Sequence, residues 1–278
     1  MHVARFSPPD APHLWSVLDE ATRVAETRLG ANGAAGTDAE TWWRKMGHTA
    51  QVPVQVSSLR SLLDHFPALR TGTVCEIGFN AGHSAVLWLE GTQARVVEFD
   101  LLQLPYSFAS RAFVEQRYPG RTTFEVGDSK VTARRYAGLV RNGTAPACDL
   151  WVVDGDHGIG AKHDFLHALA ASHAGTLVVA DDAGLLFPYV RKFWRAHVGT
   201  GAILERKCMS TRVRSSGVEK TWCIGVAAEW AVGAAGASAL RMQFDRAVVA
   251  GREERNSAYF RARRQRATLR SNRTHSRG

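Results

Sequence analysis

The sequence predicts an α/β protein built on a doubly wound, seven-stranded mixed sheet, and three observations carry the prediction. From residue 73 onward, short apolar, β-branched runs alternate regularly with helical segments. Several of these runs are apolar at consecutive positions, as strands are when helices cover both faces of a parallel sheet. After the fifth run the rhythm changes. Two more runs follow with only a polar loop between them, which reads as a closing antiparallel hairpin.

Taken in order, Ala11–Leu29 reads as a helix and GANGAAGTD as a loop, with Asp38 as N-cap for AETWWRKM. Val56–Phe66 reads as a short amphipathic helix leading into the first strand. The parallel strands expected are Thr73–Phe79, Ala94–Asp100, Thr122–Gly127, Asp149–Asp154 and Gly175–Asp181. Helices are expected near 84–90, 106–118, 130–141, 159–173 and 186–197. Four successive crossovers of this kind give a doubly wound sheet. Ala202–Met209 and Thr221–Ala227 form the hairpin, with Gly217 in its turn, and 231–250 reads as a helix after a small-residue linker. Three regions follow: an N-terminal helical extension or lid (1–54), a ligand-binding α/β domain (55–230), and a C-terminal helix with a basic tail expected to be disordered (231–278).

The composition is ordinary for a globular chain, at 45% hydrophobic and 22% charged residues. No apolar run reaches the roughly 18–20 residues that span a bilayer. The first residues lack the charged start and apolar core of a signal peptide, so a soluble, cytoplasmic protein with no membrane partner is expected. Cys75, Cys148, Cys208 and Cys223 lie far apart with no CxxC pair, and they read as buried free thiols rather than zinc ligands. Most of the net charge of +9 comes from residues 251–278, which hold nine arginines against Glu253 and Glu254. That tail reads as a solvated terminus, with a nucleic-acid contact as the less favoured alternative.

The chemistry concentrates where the strands end. Glu76-Ile77-Gly78, followed by Gly82-His83-Ser84, is a strand running into a tight glycine turn and then a helix. There the backbone can approach a ligand closely and the helix aims free N–H groups at it. Asp100 falls 24 residues after Glu76, near the spacing at which an acid receives a ribose diol. Gly127-Asp128-Ser129 offers a close backbone approach and an acceptor for an adenine edge, although Asp128 or Ser129 can equally cap the next helix. Asp154, Asp181 and Asp182 close two neighbouring strands. They make an oxygen-rich site suited to a hard divalent cation such as Mg²⁺. His157 lies beside it and is of a type that takes a proton near neutral pH.

In this order and spacing, VCEIGFNAGHSA, VVEFDL, EVGDS, LWVVDGDH and LVVADDA resemble the class I S-adenosylmethionine-dependent methyltransferases. Within that class the chain is most similar to the cation-dependent O-methyltransferase branch and the methyltransferase domain 24 group, over about residues 55–227. The resemblance implies a Rossmann-like methyltransferase fold. It also implies that Glu76, Gly78 and Gly82, with Phe79, Asn80 and Ser84 of the same loop, hold the methionine part of S-adenosylmethionine. Asp100 would bind the ribose, and Gly127, Asp128 and Ser129 would meet the adenine. Asp154, Asp181 and Asp182 match the metal ligands, Asp154 also serving the cofactor site. His157 stands three residues after Asp154, where such enzymes place a catalytic lysine, so His157 and Asp154 are the catalytic pair expected. Two departures stand out: Asp182 occupies a place held by asparagine, and Gly158-Ile159 replaces a Ser-Tyr pair. The activity implied is O-methylation of a small hydroxylated molecule. A homodimer is kept as one possible assembly.

Trp42, Trp43 and His48 are candidates for a lid, and Phe187 and Tyr189 for the pocket wall, though aromatics so placed are commonly core. His163-Asp-Phe-Leu-His167 mimics a zinc-protease pattern, but aspartate is too short for the general base and no third ligand is evident. A solvent-facing helix accounts for it. Two alternatives stay open: an NAD-dependent oxidoreductase using the same crevice, disfavoured by the missing GxGxxG spacing, and a non-catalytic methyltransferase-like module that binds RNA through the arginine tail.

Overall fold

Five parallel strands form in chain order: β1 (Thr73–Ile77), β2 (Arg95–Asp100), β3 (Thr122–Val126), β4 (Cys148–Val153) and β5 (Ser172–Ala180). The hairpin strands β6 (Ile203–Arg212) and β7 (Glu219–Ala227) complete one seven-stranded sheet in the order β3-β2-β1-β4-β5-β7-β6, β7 running antiparallel to β5. The computed structural model describes residues 13–31, 48–213, 217–233, 235–236 and 238–240. Residues 1–237 make up one unit, and 238–240 are the described part of a second. Asp38, Trp42, Trp43, most of the expected helix 231–250 and the arginine tail lie outside the described residues.

The strands are where the β-branched runs put them because all five residues of β1 are buried and helices cover both sheet faces. Those helices are α1 (Leu14–Ala31), α2 (Pro53–Arg60), α3 (His83–Leu89), α4 (Ser107–Arg117), α5 (Ser129–Arg141), α6 (Ala161–Ala170) and α7 (Pro188–Gly199). α2 starts earlier than expected, at Pro53, where a missing N–H costs nothing, and a separate turn, Leu62–His65, follows it. The helix expected to reach residue 173 stops at Ala170, because Ser172 already pairs with Cys148 and opens β5.

Leu14, Val17 and Leu18 of α1 are buried in the same cluster as Val74, Trp88, Leu150 and Trp222. The helix α1 of the N-terminal extension is thus part of the core and does not line the cleft described below, whereas His48, Thr49, Gln51 and Val52 of the same extension do. Among the described residues, no helix is long and apolar enough to cross a membrane.

The cysteines correct the sequence reading. None is free: Cys75 is bonded to Cys148, and Cys208 to Cys223. The first bond joins neighbouring strands β1 and β4 across a sequence separation of 73, and the second joins directly paired positions of the hairpin. Strand order creates the first pairing, so spacing along the chain could not reveal it.

Strand order reverses between β1 and β4, since β2 and β3 lie to one side of β1 and β5 to the other side of β4. At such a switch point the loops leave in opposite directions and a crevice opens above the carboxyl ends.

Candidate active site

A cleft of about 620 Å³ occupies that crevice. Its first half is built on the turn after β1. Gly78 has φ of +106°, and a Cβ there would come within 2.2 Å of the Asp154 carbonyl oxygen, so only glycine lets the two strand ends pass this closely. Gly82 begins α3 with φ of +76°, and its missing Cβ leaves room for the Phe79 ring. Asp100 holds this turn in place. One carboxylate oxygen accepts from the backbone N–H of Phe79 at 2.8 Å and Asn80 at 3.3 Å, and the other from Leu102 at 2.6 Å. Gly78, Phe79, Asn80, Ser84, Asp100, Gly127, Asp128 and Ser129 all line the cleft. Asp128 also caps α5 through the Lys130 N–H, and the Ser129 hydroxyl donates to Asp164 at 2.7 Å. The capping and ligand readings of these two residues therefore coexist.

Two expected residues do not reach the cleft wall. Gly82 shapes the turn from behind. Glu76 is fully buried and does not line the cleft, although its carboxyl interacts with Ser84, which does. It lies opposite Glu98, its register partner on β2, which is also fully buried. Burial pushes the Glu76 carboxyl up to about 8 and Glu98 well above its usual range, so the pair retains protons at neutral pH. The folded state then binds more protons than the unfolded chain between about pH 4.5 and about 8, and stability from this pair falls as pH rises through that window. Glu98→Gln, a neutral shape-mate, should raise the melting temperature at pH 8 by roughly 3–6 °C, as expected for ~1–2 kcal/mol in a domain of this size. The gain should shrink towards pH 5. Equal shifts in melting curves at both pH values would rule out a titrating pair.

The second half of the cleft is a charged cluster. His157 Nε2 lies 3.0 Å from Asp182 Oδ2 and 3.5 Å from Asp154 Oδ1. Burial alone would push the imidazole down, but these two carboxylates outweigh it and hold its pKa up to about 10. His157 is therefore a cation at neutral pH, which corrects the expectation of an imidazole ready to take a proton there. The Phe187 ring packs on it with centroids 4.3 Å apart. Asp182 sits at φ of +55°, a left-handed conformation that aspartate tolerates better than most residues. Burial would raise its pKa, but the His157 hydrogen bond and Lys220 hold it below the usual range.

Lys220 and Gln55 were not found from the sequence. Lys220, on β7, places Nζ 2.8 Å from Asp181 Oδ2 and 2.9 Å from Asp182 Oδ1. Gln55, on α2, donates from Nε2 to Asp181 Oδ1 at 2.8 Å, and the same oxygen accepts from the Asp182 N–H at 2.9 Å. The expected metal set of Asp154, Asp181 and Asp182 is thus not assembled. Asp181 is consumed by Gln55, Lys220 and the Asp182 backbone, and the ligand atoms that do come together are those of Asp154, His157 and Asp182. With Lys220 Nζ in contact with both Asp181 and Asp182, the three-aspartate set does not fit a divalent ion as arranged. A signal for Lys220 existed: period-two alternation puts it on the face of Trp222 and Ile224, so it is a lone charge on a core-facing stripe.

Of the other candidates, His48 and Phe187 line the cleft and Tyr189 does not. His48 stacks on His83 with centroids 3.9 Å apart, and burial lowers its pKa to about 4. The helix carrying His163 and His167 is not solvent-facing as expected: His167 and Asp164 are buried. Asp164 instead accepts from the Asp156 N–H at 3.2 Å as well as from Ser129, bracing two of the cleft loops.

Residues 75–183 match the profile of the family described as methyltransferase domain, Methyltransf_24. Over that segment the chain is similar to this family, and the match spans 109 of its 278 residues. That segment runs from the middle of β1 to just past Asp182, and so contains the glycine turn, Asp100, Asp128, Asp154, His157 and the aspartate pair. Among solved structures, the chain is similar to an O-methyltransferase from Bacillus cereus in complex with SAH, at 18% identity and a TM-score of 0.55, covering 76% of this chain and 90% of that one. It is also similar to the O-methyltransferase TomG from Streptomyces achromogenes in complex with SAM, at 18% identity and a TM-score of 0.53, covering 75% and 99%. At such identity the likeness establishes the fold, whose seven strands include the antiparallel hairpin that brings Lys220 to the cleft. No curated protein matches the sequence.

Proposed function

We propose that this protein is an S-adenosylmethionine-dependent O-methyltransferase acting on a small hydroxylated molecule. The observation that carries the reading is that one cleft holds both a Cβ-free turn clamped by Asp100 and, facing it, the His157–Asp154–Asp182–Lys220 cluster. Gly78, Asn80 and Ser84 would receive the methionine portion, Asp100 the ribose hydroxyls, and Gly127 to Ser129 the adenine edge. When bound, S-adenosylmethionine supplies an electrophilic methyl group, whose carbon–sulfur bond breaks as the carbon–oxygen bond to the acceptor forms.

The residues of the chain supply the rest. His157 puts positive charge beside the acceptor oxygen, which favours loss of its proton and stabilises the charge that develops on it, and Lys220 holds the aspartates that orient His157. Asp154 lines the cleft beside His157 and is the carboxylate placed to take that proton. Phe187 fixes the imidazolium from one side and gives the acceptor an apolar wall. A cleft of about 620 Å³ is of small-molecule dimensions. No step is assigned to a divalent cation, because Gln55 and Lys220 already occupy the carboxylate that would complete its ligand set.

Calorimetry with S-adenosylmethionine and with NAD tests the cofactor, and incorporation of a labelled methyl group into a panel of catechols, sugars and polyketide-like alcohols tests the acceptor. Saturable binding of the sulfonium and label on a hydroxyl are expected. Binding of NAD alone, or label appearing only on RNA, would replace this reading by one of the two alternatives.

A further inference from the structure

We propose that Lys220 is a built-in counter-cation: its ammonium takes the place among the strand-tip carboxylates that a divalent ion would otherwise hold, and the site works without metal. This deepens the methyltransferase reading and rests on it for its catalytic meaning, but the geometry stands by itself. Three carboxylates, Asp154, Asp181 and Asp182, converge from the ends of β4 and β5. Left alone, such a group would repel itself or gather a hard cation. Here Lys220 Nζ bridges Asp181 and Asp182 at 2.8 and 2.9 Å, the spacing of charge-assisted hydrogen bonds. Gln55 and the Asp182 N–H take the remaining oxygen of Asp181, and His157 takes the other oxygen of Asp182, Oδ2.

The arrangement is built by elements distant in sequence. β7 reaches the aspartates because it pairs antiparallel with β5, Ala180 opposite Cys223. α2 delivers Gln55 from the other side of the cluster, and Ser58 on the same helix accepts a hydrogen bond from Trp222 on the Lys220 face of β7. An ammonium so held is a fixed point charge that needs no loading. Its role is positioning: it holds Asp181 and Asp182, and through Asp182 it orients His157.

The test is Mn²⁺ binding to the full chain, read from the electron paramagnetic resonance signal of the free ion with no methyl donor present. The native protein should bind no Mn²⁺ up to millimolar concentration. Lys220→Met should gain a site, with affinity at least about tenfold above native, because the oxygens it releases suit a hard cation. Lys220→Arg retains the charge and should stay metal-free. A merely structural lysine would not produce this gain or its reversal by arginine. Stoichiometric Mn²⁺ binding by the native protein that Asp182→Asn removes would overturn the proposal. So would a folded Lys220→Met with native Mn²⁺ affinity. If that variant does not fold, the native titration decides alone. Failure of the native protein to bind S-adenosylmethionine would end the methyltransferase reading and leave the Mn²⁺ result interpretable.

Discussion

Gly78→Ala should weaken S-adenosylmethionine binding by at least about 100-fold and destabilise the fold by about 3 kcal/mol or more. The added methyl would sit 2.2 Å from the Asp154 carbonyl oxygen and 2.8 Å from its carbon, and both are backbone atoms that no rotamer change can move aside. The turn also runs at φ of +106°, where a side chain is strained regardless of space. Relief requires the ends of β1 and β4 to part, which displaces Asn80 from the cleft and Asp154 from His157 together. Gly143→Ala separates the two causes. Gly143 has φ of +72° but nothing within 4 Å of the added methyl, so it should cost about 1 kcal/mol and leave binding unchanged. Calorimetry and thermal melts measure both quantities. Near-native affinity in Gly78→Ala would show that the cofactor does not use this turn.

His157→Gln should lower turnover by about 10²–10³-fold, the usual effect of removing one preorganised donor that faces developing charge. Affinity for S-adenosylmethionine should change little, since the imidazole belongs to the opposite half of the cleft. A second signature lies in stability. The folded pKa of His157, about 10, is above the ordinary value of 6.5. The group's contribution is therefore fully present below about pH 6.5 and is lost as pH rises through about 10. Native melting temperatures should decline across that window, and His157→Gln should flatten the decline. Unaltered turnover, or a native curve that rises from pH 7 to 10, would remove His157 from the role assigned to it.

The strands were legible because each is a short apolar run whose neighbours are fixed by the alternation of layers. Every one of the seven was placed to within a few residues. The strand-tip acids were legible for the same reason: once β1 and β4 are neighbours, Asp100, Asp154 and Asp182 must share the end of one sheet. What remained hidden depended on side chains arriving from elsewhere. Lys220 and Gln55 come from the hairpin and from α2, and nothing local in either segment announces a partner on β5. The charge on His157 was hidden too, because it results from two carboxylates that meet only after β4 and β5 align. The burial of Glu76 was hidden because its neighbour Glu98 lies on another strand and meets it only once β1 and β2 pair. The thiol pairing needed the strand order itself.

The bond between Cys75 and Cys148 fastens the two strands on either side of the crevice. Cys148 is the first residue of β4, so the covalent tie lies at the end of the strand pair away from the crevice and keeps β1 and β4 adjacent there even where their hydrogen bonds are lost. Above the strand tips the cleft is lined by His48, Thr49, Gln51 and Val52 and by Val213 and Val218, which flank the hairpin turn. The sheet beneath serves as the floor.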